Sequence, residues 1–521
     1  MSAAPPDKYK HKYLIAIAVT MAAVLELIDT SIVNVAIPHM MGNLGATLDE
    51  ISWVSVGYII ANVIVIPMSA WLSAYFGRTR YLTFSILLFV GASFFCGAAT
   101  TLWGLVFWRV VQGIGGGALL STAQSTLWEA FPPSEIGIGQ AMFGVGVMVG
   151  PTLGPTLGGF IVDNWNWPWI FYINVPLGLA AAAMVWTYVT DSEHQERADK
   201  VDWLGIILLT VAVGSLQWML ERGERYDWFD SGFVTTLAVV SGTSFAWLVW
   251  HELRTDEPVI NFHLLKNRQL FTGVLMGAVL GFALFGSVFV LPIFLQSLHG
   301  LTANQTGLVI LPGAIASAIT MAVMGRRLRM LPDGRPVILL GAALFGVCMY
   351  DLAYLSFDSG APDLFWPLII RGLALGMMFI PLNSIALAEL APRDMANGTG
   401  LFNLTRQLGG SIGIAVMATM LNHLTRAKKA LLADHLITTA PDVQGRMSAL
   451  THALAARGAS ASVAQQQALA IMDRTVSAQA SVLAFSRIYW ISGFILLASM
   501  PLMLFWHNGR PRGMLLRDQG H

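Results

Sequence analysis

Apolar stretches long enough to cross a bilayer recur along the whole sequence, and that recurrence limits the fold more than any other feature. Taking ~18 residues as the minimum, about fourteen are present. They cover 13–38, 50–74, 80–100, 103–131, 136–162, 168–190, 201–221, 231–251, 269–296, 303–325, 336–357, 363–390, 398–424 and 482–507. The 521 residues are 55% hydrophobic and only 12% charged, which excludes a water-soluble class and indicates an all-α polytopic membrane protein. Zero formal net charge leaves no footprint for nucleic acid. Cys96 and Cys348 both fall in apolar runs, so no disulfide framework is implied. Lys8, Lys10 and Lys12 precede the first run, which contains Glu26 and Asp29 and is too long for a signal core. It reads as a retained first span with a cytoplasmic N-terminus.

Short loops alternate in charge as the positive-inside rule requires. Arg78 and Arg80, Arg197 and Lys200, Arg326 and Arg327, Arg335, Arg393, and Arg510, Arg512 and Arg517 are expected inside. Asp49, Glu50 and Asp163 are expected outside, with a mixed loop near Arg222 and Arg225. The chain also repeats itself. Gly77-Arg78 recurs 257 residues later as Gly334-Arg335, and Pro133-Ser134-Glu135 recurs 259 residues later as Pro392-Arg393-Asp394. At that second offset Gly150 matches Gly409 and Gly154 matches Gly413. The expected organisation is therefore a six-helix half over 1–190, two inserted helices over 191–268, and a second six-helix half over 269–521. Halves of this kind enclose a midplane site and alternate its access. Within the second half, 425–480 is the one sizeable extramembrane segment and reads as two or three amphipathic helices on the outer face, either a solvated cap or a docking place for a partner.

The fifth span carries Gly146, Gly150, Gly154 and Gly158 at four-residue intervals, a stripe without side chains. Such a stripe admits a neighbouring helix at backbone distance, as plain close packing or as a helix pair that works a gate. Pro151 and Pro155 should kink or stiffen the helix there.

Ionisable groups inside the spans are the candidate site. Glu26 and Asp29, at i and i+3, share a helix face, and two carboxyls so close in low dielectric do not both ionise easily. Asp29 lies roughly 24 Å from the inner surface and Arg109 roughly 9 Å from the outer one, by helical rise. In a core ~30 Å thick the two depths nearly coincide, so an Asp29–Arg109 pair is geometrically available, while Glu26 has no evident fixed partner. Arg371 and Arg406 are the counterparts in the second half, and Asp351 is a candidate acid for Arg406. Asn34, Gln112, Asn383, Arg406 and Gln407 are the expected polar lining of a substrate cavity. The chain shows no HExxH, P-loop or CxxC cluster. No enzymatic activity, metal or cofactor is expected, and uphill transport would have to draw on an ion gradient.

Several stretches carry a family resemblance. Leu27-Ile28-Asp29-Thr30-Ser31-Ile32-Val33-Asn34-Val35-Ala36-Ile37-Pro38, Arg109-Val110-Val111-Gln112-Gly113-Ile114-Gly115, Gly146 through Gly159, and Trp169-Ile170-Phe171-Tyr172-Ile173-Asn174-Val175-Pro176 resemble signatures of the fourteen-span drug:proton antiporters of the major facilitator superfamily, of the EmrB type. The resemblance implies the major facilitator fold and a proton-coupled multidrug efflux antiporter in the bacterial inner membrane, with both termini cytoplasmic. It further implies coupling roles for Asp29, Glu26 and Arg109, and a gating role for Gly146, Gly150, Pro151, Gly154, Pro155 and Gly158. A periplasmic EmrA-like adaptor and a TolC-like outer-membrane channel are the implied partners. Gly77, Arg78, Gly334 and Arg335 stand for the cytoplasmic loop motif. The stretch Ala70-Trp71-Leu72-Ser73-Ala74-Tyr75-Phe76-Gly77-Arg78 lacks that motif's first glycine and its aspartate, which puts the usual acid latch in question. Alternatives are a dedicated exporter of one metabolite, fatty acid or siderophore, and a non-transporting scaffold or sensor on a carrier fold.

Overall fold

The computed structural model describes residues 9–132, 134–191, 201–330, 332–357, 359–434, 436 and 441–506. Pro133, Arg197, Lys200, Arg510, Arg512 and Arg517 lie outside the described residues. Among the described residues the chain is helical with no strand. The helices in order are α1 (Lys12–Leu44), α2 (Trp53–Phe76), α3 (Arg78–Gly97), α4 (Leu102–Ala130), α5 (Ile136–Asn164), α6 (Asn174–Tyr188), α7 (Trp203–Arg222) and α8 (Gly232–Glu252). They continue as α9 (Arg268–His299), α10 (Ala303–Arg327), α11 (Arg335–Ala353), α12 (Ala361–Ala386), α13 (Met395–Asp434), α14 (Pro441–Ala455) and α15 (Ala461–Ser499).

Twelve helices among the described residues are long and apolar enough to cross a membrane, α6 counting together with the turn from Trp169 that leads into it, or thirteen if the bent α5 counts as one span. The remaining expected span, α4, has the length, at 29 residues, but falls short in hydropathy. Its Arg109, Gln112, Ser121, Thr122, Gln124, Ser125 and Thr126 are all buried. A helix whose polar side chains face protein rather than lipid does not need to be uniformly apolar.

One set of helix pairings occurs twice. α1 packs on α5, α4 and α6; α2 and α3 pack on α4; and α3 packs on α6. Likewise α9 packs on α13, α12 and α15; α10 and α11 pack on α12; and α11 packs on α15. The two sets meet along α5 with α10, and along α2 and α4 with α13. At the first seam glycines let backbones touch: Gly137 lies against the Gly325 carbonyl, and Gly307 lies against Thr156.

The glycine stripe of α5 faces α1, within the same set of helices. Gly146 meets Thr20 and Val24, Gly150 meets Leu27, Gly154 meets Ser31, and Gly158 meets Ile32. Turn by turn, α5 thus rests on the middle of α1 over about three turns. A Cβ at Gly150 would sit 2.7 Å from the Leu27 Cβ, closer than carbon atoms can approach. At Pro151 the lost N–H and the ring's clash with the preceding turn break the helix line, and α5 bends by 42° between Ile136–Pro151 and Leu153–Asn164.

The 425–480 segment differs from the expectation of two or three separate amphipathic helices. α13 runs on to Asp434 and α15 starts at Ala461, so two spans extend past the bundle, and among the described residues only α14 is a separate helix. Lys429 donates to Asp473 at 3.0 Å, tying the two extensions together.

The inserted α7 and α8 pair with each other, and α7 lies on α2. At the end of the bundle opposite the Arg78 loop, α7 reaches both sets of helices. Arg222 donates to Ser52 Oγ at 2.7 Å, at the start of α2. Trp228, just beyond α7, donates from Nε1 to Thr419 Oγ1 of α13 at 2.9 Å, and Asn422 of α13 donates to Glu224 at 3.1 Å. Asp227 and Trp228 take left-handed φ values of 51° and 52° to make this reach, a conformation that costs non-glycine residues energy.

Gly150→Val should destabilise the detergent-purified protein by about 1–3 kcal/mol through overpacking. Gly91→Ala, inside α3 where nothing lies within 4 Å of a Cβ, should keep or raise the unfolding midpoint, since alanine favours helix over glycine. Equal midpoints for Gly150→Val and wild type would show that the α1–α5 contact is loose.

Candidate functional site

The site is built around α1. Its Asp29 is completely buried, and Arg109 of α4 is 1% exposed. Arg109 Nη1 donates to Asp29 Oδ2 at 2.5 Å. The other carboxylate oxygen, Oδ1, accepts from Gln112 Nε2 at 2.9 Å and from Asn174 Nδ2 at 2.8 Å. Arg109 also donates to the Val54 carbonyl at 3.0 Å and to Gln112 Oε1 at 2.7 Å. Its guanidinium lies over the Tyr58 ring, 4.1 Å from the centroid. Four helices (α1, α2, α4 and α6) therefore converge on one carboxylate and one guanidinium. Each donor neutralises part of the cost of holding charge away from water. The pairing expected from depth along the spans is present.

One turn away, Glu26 is also buried, and its Oε1 accepts from Asn62 Nδ2 of α2 at 2.9 Å. Glu26 thus has a fixed partner, contrary to the expectation from sequence, because a neutral amide gives no charge signal. Across the interface Arg406 of α13 interacts electrostatically with Glu26. Arg406 is buried and lies 5.4 Å from the Phe379 ring centroid. Asp351 does not serve it; that acid lines a separate cleft with Tyr350, Tyr354 and Asp363 near the end of α11.

The expected cavity residues divide. Gln112 is fully buried and belongs to the Asp29 cluster rather than to a cavity wall. It stands three residues from Arg109, on the same helix face, which brings it to Asp29. Asn383 is likewise buried and accepts from Gln124 Nε2 at 2.8 Å, while Asn403 donates to Gln124 Oε1 at 2.7 Å. These three amides join α4 to α12 and α13, a buried polar clamp between the two sets of helices near their arginine-rich end. Asn34 is exposed, and Ser55 donates to it at 3.4 Å; Gln407 is half-buried.

At the arginine-rich end Arg78 makes a bidentate pair with Glu129 at 2.6 and 3.0 Å. The acid missing from the loop is supplied from further along the chain: Asp191, just after α6, accepts from the Thr79 N–H at 2.9 Å and lies against Gly77. Gly77 itself has φ +86°, where a side chain would be strained. Arg335, behind Gly334, pairs with Asp333, two residues away, at 2.8 Å. Gly146, Gly150, Gly154 and Gly158 support α1 as described, and Pro151 and Pro155 lie within the bent α5. Asn62, Asn174, Gln124 and Asn403 are the polar residues that reading the sequence for charge passes over. The available signal was a carboxamide inside an apolar run, and in Asn174's case its place within the Trp169–Pro176 stretch.

Removing one partner of a buried pair costs about 3–5 kcal/mol, and losing one hydrogen bond to a charged group about 1.5–3 kcal/mol. Arg109→Gln should therefore lower the unfolding midpoint more than Asn174→Ala in the same detergent. The reverse order would mean that Arg109 is not the principal counter-ion of Asp29.

Residues 19–414 match the model of the Major Facilitator Superfamily. The chain is 34% identical over 495 residues, 94% of each chain, to the multidrug export protein EmrB of Escherichia coli K12. It is 29% identical over 500 residues, 96% of this chain and 97% of the relative, to the fatty acid resistance protein FarB of Neisseria gonorrhoeae. In structure it is similar to the human organic anion transporter MFSD10 (TETRAN), with a TM-score of 0.60 at 13% identity, over 95% of this chain and 100% of that one.

Proposed function

Because the chain belongs to the Major Facilitator Superfamily, we propose that it exports amphipathic drugs and other toxic compounds across the bacterial inner membrane in exchange for protons. The observation that carries this reading is near-full-length similarity to a multidrug export protein, at 34% identity. The buried Asp29 cluster is consistent with it. The proton gradient takes the place of a cofactor. One charge moving through 100 mV supplies about 2.3 kcal/mol, enough to sustain a concentration ratio of about fifty.

In this mechanism a proton taken up on Asp29 removes the charge that holds Arg109, Gln112 and Asn174 in place. Glu26 is a second carrier, and its neutralisation weakens the attraction to Arg406 across the interface. Both changes loosen α1 and α13. Opening of the Gln124–Asn383–Asn403 clamp would then expose the site at the arginine-rich end, which is cytoplasmic in this reading, as are both termini. The domain division at 1–190, 191–268 and 269–521 supplies the two rocking bodies and the inserted pair. An EmrA-like adaptor and a TolC-like channel complete the export path, with the extensions of α13 and α15 as a place of contact.

A dedicated fatty acid exporter is the second reading, favoured by the similarity to FarB. The two are separated by proton release from the purified protein on adding cationic dyes or a long-chain fatty acid. Release with several unrelated dyes supports the multidrug reading; release with the fatty acid alone supports the second. Asp29→Asn should abolish drug resistance in cells at an unchanged protein level. Full resistance with that variant would remove Asp29 from the coupling mechanism.

A further inference from the structure

The inserted helices carry a second group of titratable side chains, away from Asp29 and Glu26. Glu252, the last residue of α8, is completely buried. Its Oε2 accepts from the Ile260 N–H at 3.3 Å, but its Oε1 is buried without a hydrogen-bond partner among the described residues. Asp202, just before α7, caps that helix by accepting from the Gly205 N–H at 2.9 Å. His251 Nε2 lies 2.8 and 3.0 Å from the two Asp202 carboxylate oxygens. Gly205 leaves the space in which the two acids meet. Asp202 Oδ2 and Glu252 Oε1 both lie within 2.6 Å of the point that a Gly205 Cβ would occupy. At most about 5 Å therefore separates these oxygens, within the range over which one carboxylate opposes the ionisation of another.

The charged side chains that act on Glu252 are Asp202 and His251. His251 is already engaged by Asp202, and Thr255 Oγ1 lies 3.3 Å from the same ring nitrogen. Along the linker to α9, Arg254, Asp256, His263 and Lys266 are exposed and Glu257 is half-buried. The Arg254 guanidinium lies over the Trp250 ring, 4.4 Å from the centroid. Arg268, which opens α9, is also exposed and lies over the Phe505 ring. α2, on which α7 lies, has no Asp, Glu, Lys, Arg or His along its length. α13 reaches the inserted pair at the opposite end, through Thr419 and Asn422. Two carboxyls and one imidazole thus answer one another where α7 begins and α8 ends.

We propose that Glu252 and Asp202 hold a single proton between them, which makes this end of the inserted pair a pH-sensitive joint. The proton sits on Glu252 Oε1 and points at Asp202 Oδ2, directly or through one bridging water, so the orphaned oxygen becomes a donor. Asp202 stays ionised, which suits both its cap on α7 and its pairing with His251. Once the proton is lost, two negative charges face each other, one of them sealed from water, and His251 neutralises only one. The linker feels that change, because the same Glu252 carboxyl holds the Ile260 N–H. Val259 and Ile260 are buried between exposed stretches of the linker, so this bond fastens the chain on its way from the inserted pair to α9. The joint is tight while the proton is bound and slackens as rising pH removes it.

The test is hydrogen exchange, read by mass spectrometry over residues 255–262 of the full-length purified protein, at acid and alkaline pH. Wild type is compared with Glu252→Gln at each pH, which cancels the intrinsic pH dependence of exchange. A proton bound in the folded protein stabilises only until rising pH removes it. Glutamine keeps a donor towards Asp202 and an acceptor for Ile260 but does not titrate. Wild type should therefore exchange several-fold faster than Glu252→Gln at alkaline pH and equally fast at acid pH. Asp202→Asn keeps the cap on α7 and removes the opposing charge, so its exchange should also stay slow at alkaline pH. If Glu252→Gln does not fold, Asp202→Asn alone decides. Equal exchange in wild type and Glu252→Gln at both pH values would overturn the proposal. So would a difference of the same size at both, which would mark Glu252 as a structural contact only, or an alkaline rise in Asp202→Asn as large as in wild type. The readout is local and needs no transported compound, so it stands apart from the export reading.

Discussion

A carboxylate sealed from water has to be answered by donors from every side before its helix can settle, and Asp29 imposes that demand on this fold. Three other helices supply its surroundings. α4 brings Arg109 and Gln112, α6 brings Asn174, and α2 brings the Val54 carbonyl and the Tyr58 ring that steady Arg109. In a medium of low dielectric each of these contacts is strong when made and expensive when lost. The cluster therefore fixes the relative rotation of the helices as well as neutralising charge.

Apolar packing acts on the same helix from its other side. α1 carries both acids, and α5 closes on it through glycines that leave room for the α1 side chains Thr20, Val24, Leu27, Ser31 and Ile32. Close packing of this kind gains dispersion energy without any hydrophobic drive between helices. α1 is thus gripped by polar donors on one face and by bare backbone on another. In the proposed exchange, a change of charge on Asp29 or Glu26 would alter the balance between two faces of a single element, which is a compact way to couple a proton to a movement.

Much of this was legible in the residues. Hydropathy gave the spans, and helical rise gave the common depth of Asp29 and Arg109. The four-residue glycine interval gave the close helix contact, though not the identity of its partner α1, because a stripe says only that something approaches. Gln112 is visible on the Arg109 face, but spacing does not report whether a cavity or the Asp29 carboxylate fills the space in front of that face. Asn62, Asn174, Gln124 and Asn403 are not legible, since neutral amides carry no charge signal and their partners lie far along the chain. The run-on of α13 to Asp434 is legible in propensity but not in hydropathy: Ala, Leu and Lys favour helix with no breaker after the span, while the apolar run itself ends near 424.

The inserted helices make the two sides of the molecule mechanically unequal. Along α5 and α10, glycines bring main chains into contact at Gly137 and Gly325. A small rotation there must slide one backbone over the other or part them. Along α2 and α13 the outer fastening runs through Arg222, Trp228 and Asn422. Long side chains can change rotamer and lengthen their reach without letting go. One side of the seam therefore behaves as a rigid bearing and the other as an elastic strap. Any axis about which the halves turn is drawn towards the bearing.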